Sequence, residues 1–177
     1  KRQGLGRIGV DVARVGIATG MQVIAWSENL TQDKCDEVGA RLVTKEELLE
    51  QSDFLTIHLL LSDRTRGLIQ ADDLARMKPS AFIINTSRGP IIDEPALIDA
   101  LQNRKIGGAG IDVFEVEPLP LDHPLRDMPN MVIMPHLGYV TVENYQNWYG
   151  GTVENVRSWL DGKTINQMSG RNPTTPG

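Results

Sequence analysis

Short apolar runs alternating with stretches of helical periodicity leave a chain of this kind few folds to choose from. The runs are Val23-Ile24-Ala25-Trp26, Phe54-Leu55-Thr56-Ile57, Ala81-Phe82-Ile83-Ile84, Gly110-Ile111-Asp112-Val113-Phe114 and Met131-Val132-Ile133-Met134, with a weaker edge candidate at 40–43. Each is near-continuously apolar, the pattern of a parallel strand buried on both faces. Between them, Thr44 and Glu47 form a capping box ahead of Leu48 and Leu49. Asp93 caps a helix through Ala96, Leu97, Ile98 and Leu101, and Gly107 is placed to stop it at positive φ. Thr141 caps a long helix that Asp161-Gly162 closes, and the tail 170–177 is expected to be disordered. This alternation predicts an α/β fold, a Rossmann-type doubly wound parallel sheet in three layers (αβα). In such sheets ligands sit beyond the C-terminal strand ends, so the residues after each run are where chemistry is expected.

Composition narrows the setting. At 177 residues the chain suits one ordinary domain, and its 40% apolar content is enough for a real core. The 18 Lys and Arg against 23 Asp and Glu give a net charge of −5, with no basic block, so neither nucleic acid nor an anionic membrane is expected as partner. The longest apolar stretch, 54–61, contains Thr56 and His58 and is too short to span a bilayer. Cys35 is the sole cysteine, which rules out an intrachain disulfide and fits a reducing, cytoplasmic location.

Gly4-Leu5-Gly6-Arg7-Ile8-Gly9 is a G-x-G-x-x-G leading into a helical pattern. The first glycine permits a tight turn, the second lets backbone approach a pyrophosphate, and the third lets helix and strand pack closely. The N–H groups of Arg7 and Ile8 at the helix start would then meet the phosphates. A second mark of a dinucleotide site is an acidic residue about 20 positions on. Glu28 lies 19 positions after Gly9, with Ser27 beside it. Glu28 facing the cofactor would favour NAD; Ser27 facing it would leave NADP open, although no Arg stands next to it in the chain. The alternation of a strand does not decide between them.

Three histidines are candidates for acid–base work. His123 falls in a Pro-rich surface loop, whereas His58 and His136 follow strand runs. Pro135 and Gly138 shape the backbone around His136, while His58 competes as a buried, hydrogen-bonded strand-end residue. Arg88, after the run at 81–84, offers a forked donor suited to a carboxylate or carbonyl oxygen. Asp112 and Glu117 follow the next run, and a carboxylate against His136 would stabilise its imidazolium. A phosphate loop, an Arg, a Glu and a His at successive strand ends form a reacting constellation.

The chain resembles the D-isomer-specific 2-hydroxyacid dehydrogenases, in particular their nucleotide-binding domain. The matching pieces are the glycine motif, Arg64-Thr65-Arg66-Gly67-Leu68-Ile69, Met77-Lys78-Pro79, Asn85-Thr86-Ser87-Arg88-Gly89, Gly110-Ile111-Asp112-Val113-Phe114-Glu115-Val116-Glu117-Pro118 and Pro135-His136-Leu137-Gly138. The resemblance implies a catalytic set of Arg88, Glu117 and His136. His136 exchanges the proton, Glu117 orients it and raises its pKa, and Arg88 holds the substrate carboxylate. It also implies cofactor contacts from Gly4, Gly6, Arg7, Ile8, Gly9, Ser27, Leu59, Thr86, Ser87, Arg88, Asp112, His136 and Gly138, with no metal. NAD or NADP would be the cofactor, a small 2-hydroxy or 2-keto acid such as glyoxylate or hydroxypyruvate the substrate, and a homodimer the assembly. A non-catalytic NAD(H)-sensing interaction protein of the same fold is the alternative.

Two departures from the family pattern are notable. Many members carry Asp where this chain has Ser27. The strand that normally precedes Gly4, and the N-terminal portion of a substrate domain, are expected to be missing, which would leave two unpaired edges within the sheet. On this reading residues 1–160 form the dinucleotide-binding domain, 161–177 lead toward a substrate domain, and this chain alone turns over little substrate.

Overall fold

The chain's elements begin where their capping chemistry dictates. In the computed structural model, which describes residues 5–166, the Thr44 hydroxyl accepts from Glu47 N–H at 3.1 Å while the Glu47 carboxylate accepts from Thr44 N–H at 2.9 Å. That capping box starts α3 (Lys45–Gln51). Asp93 accepts from Ala96 N–H at 2.9 Å and starts α5 (Glu94–Gln102). Around them run α1 (Arg7–Ala18), β1 (Ile24–Ala25), α2 (Gln32–Asp36), β2 (Arg41–Leu42), β3 (Phe54–Ile57), α4 (Ala71–Arg76), β4 (Phe82–Asn85), β5 (Gly108–Ile111) and β6 (Met131–Ile133). Gly4 and the tail 170–177 lie outside the described residues.

Every strand pairing is parallel, as expected. Hydrogen bonding divides the strands into a β1–β2 pair and a four-stranded sheet ordered β3-β4-β5-β6. Among the described residues, β1 and β3 therefore each carry one edge that pairs with no strand. The weak run at 40–43 contains β2, which aligns Ile24 with Arg41 and Ala25 with Leu42.

Helices α3, α4 and α5 pack Leu49, Leu74, Leu97 and Leu101 onto the four-stranded sheet, over Leu55, Ile57, Ile83 and Ile111. A smaller core joins Ala13 of α1 to Cys35, Val38 and Ala40. The expectation of burial on both strand faces holds for β5 but not for β3 and β4, which alternate: Leu55, Ile57 and Ile83 are buried, Phe54 and Phe82 exposed. The two exposed rings stack with centroids 5.7 Å apart, each covering part of the other.

Two local expectations are corrected. α5 ends at Gln102 and the positive φ beyond it belongs to Arg104, at 51°, rather than to Gly107. Gly107 is small for a different reason: a Cβ there would lie 2.8 Å from the Ser80 carbonyl oxygen. The strand expected at 110–114 is β5 at 108–111, so Asp112, Val113 and Phe114 lie past its end.

The chain forms two compact units, Lys1–Gly138 and Tyr139–Gly177. The second holds α6 (Val142–Leu160), capped by the Thr141 hydroxyl and closed at Gly162 with φ 71°. No helix among the described residues is long and apolar enough to cross a membrane.

Candidate active site

The ends of β3, β4, β5 and β6 are laced together by polar groups that a core would otherwise exclude. Asn85, the last residue of β4, is only 1% exposed. Its side-chain oxygen accepts from Ser87 N–H at 3.0 Å and its amide donates to the Arg88 carbonyl at 2.9 Å, an Asn-built turn that fixes the backbone under Arg88. Ser87 Oγ donates to the Ile57 carbonyl at the end of β3, 2.7 Å away. Asp112, 6% exposed, uses its two carboxylate oxygens on Leu137 N–H (2.7 Å) and Gly138 N–H (2.8 Å), tying the turn after β6 to the end of β5.

This lacing holds His136 in the left-handed region, φ 56°. Its Nδ1 lies 2.7 Å from Glu117 Oε2, and the other Glu117 oxygen accepts from Phe114 N–H at 2.9 Å. An ionised carboxylate accepts, so Nδ1 carries the proton in this contact. Burial opposes ionisation of Glu117, but the His136 and Phe114 hydrogen bonds and the positive charges of His136 and Arg88 outweigh it and lower its pKa.

The sign of that shift gives a testable consequence. A depressed carboxylate pKa contributes stability above the unfolded value, about 4.3, that is lost as pH falls through the lower folded value. In urea titrations, the stability difference between wild type and Glu117→Gln is therefore expected to persist through mildly acidic pH and to close only below about 4. A difference that vanishes by about pH 6 would show that Glu117 is not held ionised by these partners.

The other sequence candidates fall as follows. His58 is half-buried, bonded to Thr56 Oγ1 at 3.0 Å, and burial lowers its pKa. His123 is not a simple surface-loop residue: its Nε2 meets Glu94 Oε1 at 3.1 Å, and both side chains are largely covered. Of the pair after β1, Ser27 is buried while Glu28 is exposed and bonded to Arg64 at 2.9 Å. Arg88 and Thr86 are exposed, and Leu59 packs against the main core. Gly6 is the N-cap of α1, with no side-chain cap, and Gly9 is buried in its first turn. Arg7 and Ile8 open the helix, where N–H groups have no intrahelical acceptor.

This edge suits a dinucleotide on two counts. The uncapped start of α1 offers backbone donors to phosphate. At the end of β1, the Ser27 hydroxyl is buried with no hydrogen-bond partner, a group awaiting one. Asn85, Gly89 and Arg64 stand in the family-like segments, but the sequence reading assigned them no role. A Cβ on Gly89 would lie 2.6 Å from Glu115 N and closer still to the Phe114 carbonyl, so the Arg88 and Glu117 segments touch backbone to backbone. The Asn-x-x-Arg-Gly spacing carried a signal for the first two.

Residues 3–138 match the family model described as the D-isomer specific 2-hydroxyacid dehydrogenase, NAD binding domain. The chain is 45% identical over 144 residues to a D-3-phosphoglycerate dehydrogenase of Synechocystis, covering 81% of this chain and 26% of that protein. It is 45% identical over 141 residues to a glyoxylate/hydroxypyruvate reductase B of Serratia proteamaculans, covering 79% and 43%. A solved phosphoglycerate oxidoreductase from Vibrio cholerae superposes with a TM-score of 0.84 at 36% identity, over 89% of this chain and 51% of that one. The fold and strand-end site thus define a Rossmann-type nucleotide-binding domain. The chain belongs to the D-isomer-specific 2-hydroxyacid dehydrogenase family, through its NAD-binding domain, and spans about a quarter to a half of these relatives' own lengths.

Proposed function

We propose that this chain is the cofactor-binding part of an oxidoreductase that interconverts a small D-2-hydroxy acid and its 2-keto acid, with residues 1–160 as the dinucleotide-binding domain. The observation that carries this reading is the 2.7 Å His136–Glu117 pair at the same strand-end edge as Arg88. When bound, the nicotinamide ring supplies or accepts the hydride. In the reducing direction, protonated His136 gives its Nε2 proton to the keto oxygen as that oxygen gains negative charge. Glu117 stabilises the imidazolium beforehand and keeps the ring aimed through Nδ1. Arg88 forks onto the substrate carboxylate and polarises the carbonyl. Gly6, Arg7, Ile8, Gly9 and Ser27 would hold the adenosine and phosphate end, with Gly4 beside them. Leu59 would be a further cofactor contact after β3, and Thr86, Ser87, Asp112 and Gly138 would border the nicotinamide half.

A sensing protein of the same fold needs the phosphate-binding turn but no proton carrier, so an assembled Arg–Glu–His set argues against that alternative. The names of the relatives support small 2-keto acids as the substrate class. The test is NADH or NADPH consumption by the natural polypeptide with a panel of 2-keto acids, followed by chiral analysis of the product. D-hydroxy acid is expected. Dinucleotide binding without turnover of any keto acid would favour the sensor. The reading also carries a homodimer, which sedimentation checks.

A further inference from the structure

We propose that Glu94 and His123 are positioning residues, which hold the turn bearing Glu117 to the start of α5 and so fix the Glu117–His136 pair from behind. The inference rests on the oxidoreductase reading above and deepens it with two residues that touch no reacting atom.

The turn needs an outside support. Phe114 and Leu119 are buried at its two ends, but every residue from 115 to 118 is exposed. The bond from Phe114 N–H to Glu117 is internal to the turn, so it shapes the turn without fixing where the turn lies. Glu94, the first residue of α5, supplies that fixing. Its Oε2 accepts from Glu115 N–H in a long hydrogen bond of 3.5 Å, and its Oε1 meets His123 Nε2 at 3.1 Å. His123 Nδ1 accepts from Leu125 N–H at 3.4 Å, so Nε2 carries the proton and donates to Glu94. One carboxylate thus ties the turn to the loop that follows it. Leu125, 1% exposed, seats that loop in the core, and Arg126 draws it closed on the Leu119 and Pro120 carbonyls at 2.6 and 2.7 Å.

Two features set this pair apart from a surface ion pair. Its side chains are only 16% and 22% exposed, and apolar residues of similar size would fill the space without the cost of removing polar groups from water. What an acid and a histidine add is direction. The second feature is position: Glu115 N, the group that Glu94 holds, is also the atom that a Cβ on Gly89 would meet at 2.6 Å. The turn is therefore caught between Gly89 and Glu94, and the stretch 88–94 carries both the catalytic candidate Arg88 and the support of Glu117. The contact of Arg66 with Glu115, 3.5 Å and half-exposed, adds little.

Glu94→Gln keeps one acceptor oxygen and cannot serve both N–H donors. Urea unfolding of the natural polypeptide, in a double-mutant cycle with Glu117→Gln, reads the coupling without turnover. Glu117→Gln is expected to lower the midpoint at most about half as much in the Glu94→Gln background as in wild type, because non-additivity marks groups that act through each other. In the turnover assay, Glu94→Gln is expected to reduce kcat/KM for the keto acid about tenfold, less than the roughly hundredfold of a 1 Å misplacement, with dinucleotide affinity unchanged. The alkaline limb of the kcat/KM profile should move to lower pH by about one unit, since a displaced Glu117 favours the protonated ring less. Arg88 and Asp112, the other charged groups at that edge, are untouched. His123→Gln, whose amide can donate in place of Nε2–H, should keep the wild-type profile, whereas His123→Leu should reproduce Glu94→Gln and replaces it in the cycle if that variant does not fold. Additive urea losses, or an unmoved limb in an active enzyme, overturn the positioning role and leave the oxidoreductase reading standing. Non-additive losses in a polypeptide that turns over no keto acid support the positioning of Glu117 and overturn that reading.

Discussion

Replacing His136 with asparagine is expected to lower kcat by about a thousandfold, within the range for removal of a positioned general acid–base group, while the polypeptide still folds and binds dinucleotide. Asparagine is chosen for two physical reasons. His136 sits at φ 56°, a left-handed conformation that Asn tolerates and that Ala or a branched residue resists. The Asn amide can also donate to Glu117 in place of Nδ1–H, so the carboxylate keeps a partner and the loop from Phe114 to Glu117 stays in place. What is lost is the ring nitrogen that the proposed reaction uses to carry the proton. No other histidine compensates: burial lowers the pKa of His58, which is bonded to Thr56, and His123 is committed to Glu94. Steady-state and single-turnover rates with the keto acid that wild type uses best provide the measurement. Activity within about tenfold of wild type would show that the proton travels by another group, since a true carrier is worth at least a hundredfold.

The strands were legible because burial writes itself as apolar runs, and the runs at 54–57 and 131–134 fall on β3 and β6 almost residue for residue. β5 slid because Gly108, at its start, carries no apolar signal, yet it is small for a packing reason. A Cβ on Gly108 would meet Asn130 O at 2.5 Å and the Phe82 ring at 2.7 Å. The runs also overstated burial: Phe54 and Phe82 read as core residues but lie on the open face of the sheet. Apolar character marks what a residue would prefer, and the helices of one face decide which preferences are met.

The catalytic candidates were legible for a different reason. Arg88, Glu117 and His136 follow strand ends, and parallel topology brings every C-terminal strand end to one edge. What holds them was less visible. Asn85 looks like a loop residue in sequence, but its amide replaces backbone hydrogen bonds beneath Arg88 and is buried for that purpose. His123 looked like a loop histidine because nothing local pairs with it; its partner Glu94 is 29 positions away. The Glu28–Arg64 contact lies further still from local reading. Pairings of this kind belong to tertiary structure, where no periodicity reports them.

Gly89→Ala is expected to damage catalysis by a factor approaching that for loss of a catalytic side chain, through backbone alone. The added methyl would lie 2.6 Å from Glu115 N and closer to the Phe114 carbonyl, and neither group can rotate away as a side chain would. The segment bearing Gly89 cannot retreat either. On its other side, Pro90 O accepts from Gly67 N–H at 2.8 Å and Ile91 O accepts from Ile69 N–H at 3.1 Å. The yielding partner is therefore the turn at 114–117. Glu117 is fastened to that turn by its bond to Phe114 N–H, so its carboxylate moves with the turn and the 2.7 Å contact to His136 opens. Overpacking of this kind costs about 1–3 kcal/mol in folding stability, and a misplacement of about 1 Å in a reacting group costs roughly a hundredfold in rate. The variant should show a lower urea midpoint together with a kcat reduced by about two orders of magnitude. Dinucleotide affinity should suffer far less, because the start of α1 at Gly6 and Arg7 lies on a different segment. Equal stability and equal kcat in the alanine variant would mean that the Arg88 and Glu117 segments are not in backbone contact, and the geometry assigned to the catalytic set would have to be redrawn.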